Sequence, residues 1–115
     1  MDAVRRALTD ERADTVAQIS ALARDLDGII EAAALVATDD EHDPEGTTIA
    51  YERAHTAALL SSAEARLGDL DRALARHEAG DYGRCESCGG PIAPERLAAR
   101  PSAATCIACA SKPRP

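Results

Sequence analysis

The sequence has no phenylalanine and no tryptophan, and its only aromatic residues are Tyr51 and Tyr82. Large side chains carry most of the free energy of burial. Of the 115 residues 45% are hydrophobic, but much of that share is alanine. A conventional globular core is therefore hard to build, and long helices packed through small residues are the easier solution. Two tyrosines are too few for a base-stacking platform. Clustered basic charge is missing as well: the formal net charge is −7 and the pI is near 4.8. That balance opposes nucleic-acid binding through phosphate contacts. It favours a protein partner with a basic surface, or plain solubility.

No apolar run is long enough to span a bilayer, so no membrane role is expected. The N-terminal MDAVRRALTDERAD lacks the apolar segment of a secretory signal. These absences point to a cytoplasmic protein. In a reducing cytosol, four cysteines are expected to ligate metal rather than form disulfides.

What is present is a heptad pattern. Residues 2–37 contain no proline and no turn cluster. Apolar or small residues recur at Leu8, Thr15, Ile19, Leu22, Leu26, Ile29, Ala33 and Val36, with Arg12 continuing the series. Steps of four and three are the seam of a coiled coil. Gly28 interrupts this run and costs about 1 kcal/mol against alanine. The pattern stops over residues 38–48, where Pro44 and Gly46 punctuate a polar loop and Asp43 precedes the proline. Thr47 or Thr48 is then expected to cap a second helix. The heptad resumes at Ile49, Arg53, Thr56, Leu60, Ala63, Leu67, Leu70, Leu74 and His77, and Gly80 is a natural stop.

Two helices of similar length joined by a short loop fold back on each other. The expected fold is mainly α: a long antiparallel two-helix coiled-coil hairpin over residues 1–80, a small C-terminal zinc finger over 81–111, and a short tail over 112–115. At 1.5 Å per residue each arm is about 50 Å long. An ordinary helical bundle is the alternative, and the thin, partly polar seam leaves self-association open.

The hairpin loop reads TDDEHDPEG. Asp39, Asp40, Glu41, Asp43 and Glu45 crowd like charges together, which costs energy unless water or a cation screens them. A solvated turn is the plain reading. A calcium loop fits poorly, because Pro44 stands where an EF-hand needs its turn glycine.

The C-terminal segment reads YGRCESCGGPIAPERLAARPSAATCIAC. Cys85-x2-Cys88 and Cys106-x2-Cys109 have the spacing of a four-thiolate zinc site. Two such pairs close a tetrahedron and leave no position for a catalytic water, so one structural Zn²⁺ and no enzyme activity are expected. The local apolar set of Tyr82, Ile92, Leu97, Ile107 and a few alanines cannot fold thirty residues alone. Structural zinc supplies on the order of 10 kcal/mol of apparent folding free energy. Arg84, Arg96 and Arg100 are near enough in sequence to offset the surplus thiolate charge. A redox dithiol usually carries a single CxxC in a βαβ setting. A DNA-reading finger wants a basic recognition helix. The sequence offers neither.

This segment resembles the C4-type zinc finger of the DksA/TraR family of bacterial transcription regulators. The matching residues are Tyr82-Gly83, Cys85-Glu86-Ser87-Cys88-Gly89, Pro91-Ile92, Glu95-Arg96-Leu97, Ala99-Arg100-Pro101 and Cys106-Ile107-x-Cys109. The hairpin and its acidic turn extend the likeness to nearly the whole chain. The resemblance implies a regulator that binds RNA polymerase rather than a promoter sequence, with an acidic coiled-coil tip entering the secondary channel. The family tip often reads Asp-Pro-x-Asp-x-Ala. Here Asp43-Pro44 fits, Gly46 replaces the second acid and Thr48 the alanine. Family contacts to the alarmone ppGpp map to Asp69, Arg100 and Ala110, where only the arginine is kept. A ppGpp contact surface is therefore not expected. Two other classes remain beside this one: a structural zinc-binding coiled-coil protein docking on another partner or on itself, and a redox enzyme using exposed thiolates.

Overall fold

The computed structural model describes residues 2–36 and 44–112. Asp39, Asp40, Glu41 and Asp43 lie outside the described residues, and Glu45 lies in a helical turn. Four helices follow in order: α1 (Ala3–Val36), α2 (Pro44–Ala79), α3 (Pro94–Ala99) and α4 (Ile107–Ala110). The fold is mainly α, an antiparallel pair of long helices with a C-terminal four-cysteine region. Among the described residues the only β-pairing is an isolated bridge between Arg84 and Pro91.

Local chemistry sets the ends of the long helices. The Val4 amide donates to the Asp2 carboxylate at 3.0 Å, so Asp2 caps α1 by accepting an otherwise unsatisfied N–H. α2 starts at Pro44, not after Thr47 or Thr48 as the sequence led us to expect. Proline lacks the N–H that a first helical turn leaves unpaired, and its fixed φ is already helical, so it initiates a helix as well as ending one. At the other end Gly80 takes a φ of 81°. Its N–H reaches the His77 carbonyl at 3.2 Å, and the Asp81 N–H reaches Arg76 at 2.8 Å. This pair of bonds is a Schellman cap, which needs the left-handed conformation glycine provides.

The chain divides into two compact units. The first is Met1–Ala13 with Leu67–Pro115, and the second is Asp14–Arg66. In the first, Leu8, Leu70 and Ala73 are fully buried, and Val4, Leu74 and Tyr82 pack around them. Arg12 meets Asp71 at 2.5 Å, and His77 reaches Asp2 at 2.7 Å while lying edge-on to Tyr82. In the second unit Ala63 and Thr15 are buried, and Arg66 donates to Gln18 at 3.1 Å.

The expected seam agrees with the observed burial. The described seam residues on both helices are buried or half-buried, except Arg53, which is exposed. A guanidinium loses hydration if buried unpaired, so its head stays in water although the heptad points it inward. Among the described residues no helix is long and apolar enough to cross a membrane.

Candidate metal centre

The finger is built on two chain reversals. Gly83 and Gly89 both take positive φ, 85° and 75°. The Gly89 N–H donates to the Cys85 carbonyl at 2.9 Å, and the Cys85 N–H donates to Gly90 at 2.8 Å. This tight turn brings Cys85 and Cys88 to one side. The second pair is placed by α4, with Cys106 at its N-cap and Cys109 within it. The Glu86 N–H bonds the Ala104 carbonyl at 2.8 Å and ties the two halves together.

The four sulfurs lie within 4.8 Å of one another. Cys88 Sγ and Cys106 Sγ are 3.9 Å apart. A tetrahedron with Zn–S bonds of about 2.3 Å has edges of about 3.8 Å. The donor set fits Zn²⁺ in both type and spacing. Cys85 is buried, Cys106 and Cys109 are half-buried, and Cys88 is exposed.

Backbone N–H groups face two of the thiols. The Gly90 N–H points at Cys88 Sγ at 3.4 Å. N–H groups of Cys106 and then Cys88 hold the Cys85 thiol down to about 6. Of the arginines near in sequence, Arg96 donates to the Thr105 carbonyl, next to Cys106, at 2.8 Å, and Arg100 lies 4.0 Å from Asp69. Arg84 contributes its backbone to the bridge with Pro91. Ile107, expected among the finger's apolar residues, is 61% exposed. It stands on the outer side of a single helical turn.

Two contacts that the sequence reading missed join the finger to the end of α2. Arg76 donates to Glu86 at 3.2 Å and to the Ala103 carbonyl at 3.4 Å. The Tyr82 hydroxyl donates to Pro101 at 2.8 Å, while its ring packs beside Leu8 and Leu70.

Cys109 is pushed up to about 12, mainly by its hydrogen bond with Cys106 and then by that with Cys85. Its proton must leave when metal binds. Zinc affinity should therefore tighten by at least about tenfold per pH unit between about pH 7 and about pH 8, measured by competition with a chelator. A pH-independent affinity would contradict this coupling.

The fold and the centre together define a helical-hairpin protein with a four-cysteine zinc finger. Residues 80–113 match the family model of the prokaryotic dksA/traR C4-type zinc finger. Among solved structures, the chain is similar to transcription factor DksA2 from Pseudomonas aeruginosa. The identity is 27% and the TM-score 0.71, covering 96% of this chain and 83% of that one. No curated protein matches the chain.

Proposed function

We propose that this protein regulates transcription by binding RNA polymerase, its acidic turn entering the secondary channel. The likeness to a transcription factor over 96% of the chain carries this reading. The finger type supports it independently. Cys85, Cys88, Cys106 and Cys109 hold one structural zinc, and Asp39, Asp40, Glu41, Asp43 and Glu45 form the partner-binding tip. A dense anionic tip suits a channel that leads to catalytic Mg²⁺ and basic side chains, and long-range attraction speeds its entry.

We expect no ppGpp contact on the surface of Asp69, Arg100 and Ala110. Asp69 pairs with Arg72 at 2.6 Å and lies 4.0 Å from Arg100. Its carboxylate would repel a polyphosphate, so no response through this surface is expected.

The test is binding to purified polymerase, comparing the wild type with a variant in which Asp39, Asp40, Glu41 and Asp43 become alanine. Binding should weaken at least tenfold, with zinc content and helicity unchanged, and a channel-blocking competitor should displace the wild type. Equal binding by both proteins would contradict the tip's role.

A further inference from the structure

Residues 14–66 hold eleven acids and three arginines, a net charge of −8, while the rest of the chain holds nine acids and ten basic residues, a net of +1. All of the excess charge therefore sits in the second unit. That unit is also where large apolar side chains stay uncovered. Val16, Ile30, Leu35, Tyr51 and Leu59 are exposed there, against Ile107 alone elsewhere among the described residues.

The same unit contains a groove of about 530 Å³, lined by Arg24, Gly28 and Ile29 of α1 and by Ile49, Tyr51 and His55 of α2. Tyr51 is 71% exposed and stacks on His55 with ring centroids 6.0 Å apart. Asp25 and Glu52 add two acids to the lining against the single Arg24. A glycine inside a helix costs about 1 kcal/mol against alanine. A Cβ built at Gly28 meets no atom of the described residues within 4 Å. The space it leaves is open to an outside group.

We propose that this groove is a docking site for an amphipathic basic helix of a protein partner, which seats an apolar side chain over Gly28 and against Tyr51. Helix-in-groove recognition needs an apolar floor with charge complementarity at its edges. A second copy is disfavoured, since it would set −8 against −8. Nucleic acid is disfavoured for the same reason. That the helix belongs to RNA polymerase rests on the reading above. The groove itself does not.

Wild type, Gly28→Leu and Tyr51→Ala are compared on two probes. One is purified RNA polymerase. The other is a synthetic leucine–lysine amphipathic helix, with a leucine–glutamate helix as charge control. Gly28→Leu should melt at or above the wild-type temperature, because leucine favours helix over glycine. It should nevertheless bind at least tenfold more weakly on either probe, as should Tyr51→Ala, and the glutamate helix should not bind.

Wild-type affinity of both variants on both probes overturns the proposal, as does a wild type that binds neither. A wild type that ignores polymerase but takes the lysine helix, with the variants impaired, supports the groove and removes the polymerase reading. Dimerisation of the wild type that Gly28→Leu abolishes also overturns the proposal, in favour of a second copy.

Discussion

Cys88→Ala is expected to lose the bound zinc and unfold the finger while most of the helical signal survives. Removing one of four thiolates opens the tetrahedron, and structural zinc contributes on the order of 10 kcal/mol of apparent folding free energy. Few buried side chains hold the finger. Its only fully or nearly buried side chains are Cys85, Ile92 and Ala103, and α3 and α4 are 6 and 4 residues long. The long helices, of 34 and 36 residues, do not depend on the metal for their backbone hydrogen bonds. Circular dichroism at low temperature should therefore change little. The melting temperature should still fall, because Tyr82 loses its anchor at Pro101 and no longer shields the Leu8 cluster. A cooperative loss of all helicity would show that the two long helices cannot stand without the finger.

Leu70→Ala carries the second large effect. Leu70 is 0% exposed and meets Leu8 and Ala73 in the one cluster of fully buried side chains among the described residues. Truncating a buried leucine removes its transfer free energy and leaves a cavity, for a total of about 2–5 kcal/mol. Domain stability is only about 5–15 kcal/mol, so thermal melting should drop by many degrees. Leu59→Ala is the control: Leu59 is 43% exposed, and its truncation should cost well under half as much. Equal losses at the two positions would mean that the burial pattern of the helices is wrong.

Both the helical pair and the metal centre were legible in the sequence because each rests on a periodic constraint. Seam positions repeat every three or four residues, and among the described residues burial follows them, Arg53 excepted. The cysteine spacing leaves few arrangements other than one metal. What escaped the sequence depends on choices among local alternatives. Pro44 is compatible with a loop and with a helix start, and it serves as the start. Arg96 and Arg100 are near the cysteines in sequence, but they pair with Thr105 and Asp69. Backbone N–H groups, which sequence patterns do not display, also face the thiols. Arg53 sits in the seam by spacing and stays in water by solvation. Gly28 stands out in the sequence only as a helix defect, and the open space beside it shows only in the structure.

The most direct measurement is in vitro transcription with purified polymerase, adding wild-type protein or the variant in which Asp39, Asp40, Glu41 and Asp43 become alanine. The wild type should change the yield or lifetime of promoter complexes, and the variant should leave them at the level without added protein. A tip variant as active as the wild type, with its zinc and helicity intact, would contradict the account.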